Sequence, residues 1–196
     1  MVLQELHVAD EPATWEALGF AVDERDTVEI GGVGIRLLGR GAGEGIVAWA
    51  VDGLESSVLP SVSAPAPSPA PAVEHPNGVI AVDHVVAFTG DFDATSAALE
   101  ADGLEARRVR EVPGGTLRQG FYVLETALLE LAGPVEGETE PRFWGLTLVA
   151  SDLDAMAARL GDALGAVKPA VQPGRRIATL RREAGSSVPL AFMTPR

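Results

Sequence analysis

Two stretches of sequence, 61 residues apart, decide the fold of this chain: IAVDHVVAFTGDFDA at residues 80–94 and PRFWGLTLVASDLDA at residues 141–155. Each contains an apolar run of the length of a β-strand and ends in Asp-x-Asp-Ala. Because aspartate is a favoured helix N-cap, the pattern predicts a strand followed by a helix that begins at Asp91 in the first copy and at Ser151 or Asp152 in the second. An internal repeat of this length indicates one structural unit used more than once.

Alternating apolar residues between turns rich in Gly and Pro predict three further strands after each of these helices. A looser version of the pattern precedes both copies, with a strand, a short helix that starts at Asp10 or Glu11, and three strands. The sequence therefore predicts three units, each with one strand, one helix and three strands. The predicted strands lie at residues 3–8, 27–30, 33–38 and 46–51 in the first unit, at 80–88, 105–112, 116–124 and 127–132 in the second, and at 144–150, 166–171, 176–182 and 188–194 in the third.

Residues 60–76 separate the first unit from the other two and hold six prolines among 17 residues. Such a stretch favours extended polyproline II and cannot pack a core, which predicts a spacer; a recognition tail for a proline-binding module is the alternative. The predicted organisation is an N-terminal βαβββ-like unit at 1–59, a linker at 60–77, and a domain at 78–196 made of modules 78–135 and 141–196. We expect His75, within the linker, to be exposed.

Composition excludes several kinds of function. The chain carries 15 basic and 28 acidic residues, a net charge of −13, and no cysteine. A net acidic chain disfavours nucleic acid as a partner, and the lack of cysteine removes disulfides, thiolate nucleophiles and cysteine metal ligands. No apolar run is long enough to cross a bilayer, so we expect a cytoplasmic protein. The first 100 residues hold 16 of the acidic and 3 of the basic residues, and the balanced remainder leaves arginines available for an anionic ligand.

The tandem βαβββ pattern resembles the vicinal oxygen chelate superfamily, which includes glyoxalase I, epimerases, extradiol dioxygenases and bleomycin-resistance proteins. The sequence VDHVVAF at 82–88 is similar to the first strand of that family, and LLEL at 128–131 is similar to its last strand. The resemblance implies an α+β fold in which tandem βαβββ modules form a glyoxalase-like pair of half-barrels around a cavity. The N-terminal βαβββ-like unit is extra to this pair.

The same resemblance implies a metal site, because family members bind a divalent metal with a His from a first strand and a Glu from a last strand. Carried over residue by residue, it assigns His84 and Glu130 as metal ligands. The equivalent positions of the third unit, 61 residues on, are Gly145 and Ala191. The implied ligand set is therefore incomplete, with two ligands where catalytic zinc typically keeps three.

Glu130 is also the expected catalytic acid–base residue, because a carboxylate among leucines is costly unless it faces a wet cavity, a partner or a metal. On the strand before it, alternation places Arg118 and Tyr122 on one face and Gln119 and Phe121 on the other, and one of these faces should line the cavity. Each of the substrate-binding candidates has a structural alternative as a core, edge or surface residue. The candidates are Gln119, Tyr122, Phe143, Trp144 and Arg176. Arg175 is an equal choice for the arginine.

Two functions are compatible with these residues. The first is a lyase or isomerase of the glyoxalase or epimerase type, in which Glu130 moves a proton next to a carbonyl. The second is a binding protein of the bleomycin-resistance type that sequesters a small molecule without chemistry. Of the three units, two can close on each other and one is left over, whose apolar face needs a partner. The N-terminal unit should therefore either pack on the main domain or pair across a two-fold axis in a homodimer.

Overall fold

Three consecutive groups of strands and helices make up the chain. The computed structural model describes residues 1–54, 58–65, 73–112, 114–135, 137 and 140–196. The first group comprises β1 (Val2–Val8), α1 (Pro12–Ala17), β2 (Thr27–Ile30), β3 (Val33–Leu37) and β4 (Ile46–Asp52). The second comprises β5 (Val79–Phe88), α2 (Phe92–Ala101), β6 (Ala106–Glu111), β7 (Arg118–Val123) and β8 (Leu128–Gly133). The third comprises β9 (Arg142–Ala150), α3 (Leu153–Leu160), β10 (Lys168–Pro169), β11 (Arg176–Thr179) and β12 (Leu190–Met193). The predicted order of elements is confirmed in each group.

The second and third groups share one eight-stranded sheet with the order β10-β11-β12-β9-β5-β8-β7-β6. In each group the last strand pairs in parallel with the first, as β8 with β5 and β12 with β9. The two first strands, β5 and β9, pair antiparallel at the centre of the sheet. This is the predicted α+β arrangement, a pair of βαβββ modules joined through their first strands.

The register at the centre of this sheet obeys the 61-residue repeat. Val85 lies opposite Leu146, the residue to which the repeat relates it. On either side, His84 lies opposite Thr147 and Val86 lies opposite Gly145. The 61-residue repeat relates His84 to Gly145 and Val86 to Thr147, so it converts each of these pairs into the other. The modules are therefore related by an approximate two-fold axis that passes beside Val85 and Leu146.

The two module helices begin at equivalent caps. Asp91 has φ −135° and ψ 98°, and Asp152 has φ −137° and ψ 99°. Each carboxylate accepts a hydrogen bond of 2.9 Å from the backbone N–H three residues on, which satisfies a donor that the first helical turn leaves free. The predicted helix starts are confirmed, and Asp152 rather than Ser151 is the cap of α3.

The N-terminal group forms a separate four-stranded sheet with the order β2-β3-β1-β4. Here β1 pairs in parallel with β3 and antiparallel with β4. In the modules the first strand pairs in parallel with the fourth strand instead, so this unit shares their order of elements along the chain but not their order in space. Its β4 occupies the place beside β1 that β9 occupies beside β5.

The N-terminal sheet packs on the module pair, and one hydrophobic core runs through both. Trp49 of β4 contacts Phe143 of β9 edge to face, with ring centroids 5.4 Å apart. Asp10, which is fully buried, accepts hydrogen bonds from the side chains of Ser186 and Ser187 in the third group. The alternative in which the unit packs on the main domain is thus what the structure shows, and the homodimer stays a prediction.

His75 is buried, although the sequence suggested exposure. Its Nδ1 accepts a hydrogen bond of 3.1 Å from the Ala21 backbone N–H, and its Nε2 lies 2.8 Å from the Glu29 carbonyl oxygen. Burial lowers the pKa of this imidazole, against the opposing effect of the Glu29 carbonyl. The cause is the return path of residues 73–77 along the N-terminal unit; residues 66–72 of the predicted linker lie outside the described residues.

Among the described residues, no helix has the length and apolar composition needed to cross a membrane.

Candidate functional site

A cavity of about 1490 Å³ lies against the face of the eight-stranded sheet opposite its helices. It is lined by strands of both modules and by the turn at residues 170–173. Three acidic and six basic side chains line it, although the whole chain has a net charge of −13. The basic residues are Arg107, Arg108, Arg110, Lys168, Arg175 and Arg196.

A bulge in β5 brings two consecutive polar side chains to this cavity. Val82 lies opposite Leu148 and His84 lies opposite Thr147, so that Asp83 is one residue in excess. In a regular strand, neighbouring side chains point to opposite faces, but a bulge re-aims one of them. Asp83 and His84 consequently both line the cavity, and Asp83 Oδ2 lies 2.8 Å from His84 Nδ1.

Asp83 also forms a buried ion pair with Arg175, which the turn before β11 supplies. Arg175 Nη1 lies 2.6 Å from Asp83 Oδ1, and both side chains are only 5% exposed. Arg175 Nε donates to the Thr194 carbonyl oxygen at 2.8 Å. Burial by itself would raise the pKa of the Asp83 carboxyl, but the hydrogen bonds and charges of His84 and Arg175 outweigh it and lower that pKa. Asp83 is therefore ionised at neutral pH.

Glu130 is held from the other side by a chain of side chains on β7 and β6. Gln119 Nε2 donates to Glu130 Oε1 at 2.6 Å, and Arg110 Nε donates to Gln119 Oε1 at 2.9 Å. These two bonds fix the orientation of the Gln119 amide, because its NH₂ group meets an acceptor and its oxygen meets a donor. Glu130 Oε2 remains 3.8 Å from His84 Nε2.

The predicted residues Glu130, His84 and Gln119 thus lie together in the cavity wall. The alternation predicted for β7 also holds, because Gln119 and Phe121 both line the cavity. Asp83 and Arg110 were not predicted from the sequence as site residues. The arginine pattern of β6 was a usable signal for Arg110, since Arg108 and Arg110 share the face that lies opposite Phe121 and Gln119.

Three predicted substrate contacts lie outside the cavity lining. Tyr122 is fully buried on the helix face, where its hydroxyl donates to Ser96 Oγ at 2.9 Å and burial raises its pKa. Phe143 is buried in the core against Trp49. Trp144 is 55% exposed, because β9 carries it as the extra residue of a bulge between Phe143 and Gly145.

Arg176 is likewise not at the cavity. Its guanidinium makes two hydrogen bonds, of 2.9 and 2.8 Å, to the carboxylate of Asp154 on α3, and both side chains are exposed. Alternation along the chain gives the cavity position to Arg175 instead. Of the two arginines between which the sequence left a choice, Arg175 lines the cavity and Arg176 does not.

The side chains at the site do not fit a resident divalent metal. Among the described residues, no group of three or more His, Asp or Glu side chains is placed to hold a metal ion. The donors that the resemblance implied are His84 Nε2 and Glu130 Oε2, and stable zinc sites use at least three protein ligands. Asp83, the other carboxylate beside His84, offers no free oxygen to a cation, because Arg175 Nη1 and His84 Nδ1 occupy its two oxygens.

The third module cannot complete such a site. Its positions equivalent to His84 and Glu130 are Gly145 and Ala191, as the register of β9 and β12 confirms. A Cβ at Gly145 would lie 2.9 Å from the backbone oxygen of Pro189, so no larger side chain fits there without movement of the main chain. No step of the chemistry is therefore assigned to a metal ion.

Solved structures that are similar to this chain each cover about 60% of it. A methylmalonyl-CoA epimerase from Mycobacterium tuberculosis is 20% identical, over 61% of this chain and 90% of that one, with a TM-score of 0.49. A Streptomyces coelicolor methylmalonyl-CoA epimerase in complex with 2-nitronate-propionyl-CoA is 18% identical, over 59% and 94%, with a TM-score of 0.49. A hypothetical protein from Bacillus halodurans is 13% identical, over 59% and 94%, with a TM-score of 0.47. No protein-family model and no curated protein sequence matches the chain. The glyoxalase-like fold itself follows from the strand order and register described above.

Proposed function

We propose that the protein is a glyoxalase-like isomerase or lyase that binds a small organic anion in this cavity. Glu130 moves a proton at a carbon next to the carbonyl group of that anion. The observation that carries the proposal is the hydrogen-bonded row of Arg110, Gln119 and Glu130 in the wall of a basic cavity. A general acid or base has to be held within hydrogen-bond reach of the proton that it moves, and this row holds Glu130.

The charge of the cavity supports an anionic ligand. Its six basic and three acidic side chains contrast with the acidic chain as a whole. Arg107 and Arg108 of β6 and Lys168 of β10 line it without an ion-pair partner among the described residues. Basic groups collected in a cleft raise the local concentration of an anion, and a guanidinium pairs with a carboxylate or phosphate through two parallel hydrogen bonds.

The hydrogen bonds of Glu130 support its role as the acid–base group. Gln119 occupies Oε1, so Oε2 is the oxygen that remains for a ligand, on the side of His84. The amide orients the carboxylate, and Arg110 in turn orients the amide. A carboxylate held in this way takes up a proton without first having to reorganise.

Deuterium uptake from solvent tests the proposal. Methylmalonyl-CoA is a suitable probe, because its acidic C–H lies between two carbonyl groups and its carboxylate and phosphates are anionic. We expect the protein in D₂O to raise the rate of deuterium incorporation, followed by mass spectrometry, by on the order of 10²-fold over the rate without protein. Glu130→Gln should abolish the increase, whereas Glu125→Gln, the same change at an exposed acidic residue of the cavity, should retain it.

Calorimetric titration with the same probe separates the two functions that the sequence left open. Binding without deuterium uptake in the native protein would contradict catalysis on this class of substrate and favour the sequestering role. Equal uptake by the native protein and by Glu130→Gln would refute the assignment of Glu130. Failure to bind methylmalonyl-CoA and a second organic anion, 2-oxobutanoate, would refute the anionic ligand.

A further inference from the structure

We propose that Asp83 and Arg175 are positioning residues that hold His84 in one tautomer, with the proton on Nδ1 and the free lone pair of Nε2 directed toward Glu130. His84 is then a second proton-transfer group of the site rather than a metal ligand. The inference about the tautomer stands on hydrogen-bond geometry, and the catalytic use of His84 rests on the function proposed above.

Both oxygens of Asp83 are occupied by donors. Arg175 Nη1 lies 2.6 Å from Oδ1, and His84 Nδ1 lies 2.8 Å from Oδ2. A guanidinium only donates and an ionised carboxylate only accepts, so the proton of the second contact has to belong to Nδ1. In a neutral imidazole, one ring nitrogen donates and the other accepts. The contact with Asp83 therefore leaves Nε2 as the acceptor.

Arg175 keeps this arrangement in place. It is fixed to the main chain through the Thr194 carbonyl oxygen, and its side chain is as deeply buried as that of Asp83. A buried carboxylate without a cation would take up a proton, and the protonated acid would no longer require a proton on Nδ1. The guanidinium keeps Asp83 ionised, so Oδ2 remains an acceptor for the proton on Nδ1 of a neutral His84.

The distance between His84 Nε2 and Glu130 Oε2 suits a shared ligand. At 3.8 Å the two atoms are too far apart for a direct hydrogen bond, yet an oxygen placed between them can lie within hydrogen-bond distance of both. Across the sheet the residue opposite His84 is Thr147, which is buried and not ionisable, and the charge that the third module does bring close to His84, that of Arg175, is paired with Asp83.

The proton transfer balances with these groups alone. Glu130 Oε2 takes the proton from the substrate carbon, and the electron pair of the broken C–H bond moves toward the carbonyl oxygen to form an enolate. The proton passes from Glu130 through a substrate hydroxyl or a water to His84 Nε2, and the resulting imidazolium is stabilised by the Asp83 carboxylate. Return of one proton to carbon restores all groups and requires no oxidant or reductant.

Nitrogen NMR of the uniformly ¹⁵N-labelled, ligand-free protein tests the tautomer directly. The chain has three histidines, so long-range proton–nitrogen spectra at a pH where the rings are neutral resolve each of them. We expect His84 to favour a protonated Nδ1 by about tenfold or more, because a hydrogen bond to a charged acceptor is worth that factor. His75 is the internal control with the opposite tautomer, because the Ala21 N–H donates to its Nδ1.

Asp83→Asn should remove most of the preference at His84 and leave His75 unchanged. A native His84 with the proton on Nε2, or with equal populations, would overturn the proposal, as would an unchanged preference in Asp83→Asn. If that variant fails to fold, the native spectrum still decides between the two tautomers. These spectra need no substrate, so their outcome is separate from success or failure of the deuterium-uptake experiment.

Discussion

Removal of the Asp10 carboxylate is expected to lower the free energy of unfolding more than removal of an exposed carboxylate that also accepts hydrogen bonds. Asp10 is fully buried at the contact between the N-terminal unit and the third module. It accepts hydrogen bonds from Trp15 Nε1 at 3.1 Å, from Ser186 Oγ at 2.8 Å, and from both the backbone N–H and the Oγ of Ser187, at 2.9 and 2.7 Å. Arg40 Nη2 lies 3.2 Å from the same carboxylate.

The magnitude follows from the donors that would be left without an acceptor. In Asp10→Ala the serine hydroxyls can rotate, but the indole N–H of Trp15 and the backbone N–H of Ser187 cannot. Each unsatisfied buried donor costs about 1–3 kcal/mol, so we expect a loss of about 3–5 kcal/mol when the lost contact with Arg40 is included. For a chain of this size, 1 kcal/mol shifts the melting temperature by about 2–4 °C, which predicts a decrease on the order of 10 °C.

Urea unfolding of the native protein and of two variants measures this cost. Asp23→Ala is the matched control, because Asp23 accepts backbone hydrogen bonds from Arg25 and Thr27, at 2.8 and 2.9 Å, but in an exposed turn. We expect the control to lose only about 1 kcal/mol. Equal losses in Asp10→Ala and Asp23→Ala would refute the reasoning that burial of the acceptor sets the cost.

Three further predictions concern single positions. Burial lowers the pKa of His75 below its value in the unfolded chain, so the stability that the neutral ring contributes is fully present above about pH 6.5 and is lost as the pH falls through the folded-state pKa. Urea unfolding at several pH values should show this loss, and His75→Gln should reduce its dependence on pH. Gly145→Ala should lower the free energy of unfolding by about 1–3 kcal/mol, because its Cβ would meet the Pro189 oxygen at 2.9 Å. Gly41→Ala, whose Cβ would have no atom within 4 Å, should leave it unchanged. An equal effect of both substitutions would contradict the steric argument. Asp152→Ala should lose about 1 kcal/mol in thermal unfolding through loss of the α3 cap, and no change would show that the cap does not contribute.

The parts of the fold that sequence could predict depend on local patterns. The Asp-x-Asp-Ala caps act within one helical turn, and the 61-residue repeat then fixes which strands are equivalent. Glu130 was accessible as an acid among leucines, in a segment that resembles a known last strand. Alternation on β7 grouped Gln119 with Phe121 but left open which face of the strand lines the cavity.

The parts that sequence could not predict depend on irregular or long-range pairing. A bulge at Asp83 brings a second polar residue to the cavity, and another at Trp144 takes a predicted contact out of it; neither has a signal in the residues themselves. The position of β1 between β3 and β4 depends on pairing across the whole N-terminal unit. The burial of His75 depends on where the chain returns after a segment that is rich in proline.

The approximate two-fold axis also makes this chain a scaffold for building new sites. Ala191 lies opposite Thr147 in the same parallel register that places Glu130 opposite Val86, and it already carries a Cβ. A carboxylate introduced there would mirror the native one across the two-fold axis, whereas the matching histidine is excluded at Gly145 by the main chain. Of the two native groups, a designer can therefore copy the acid into the third group of elements but has to bring the base from a different strand.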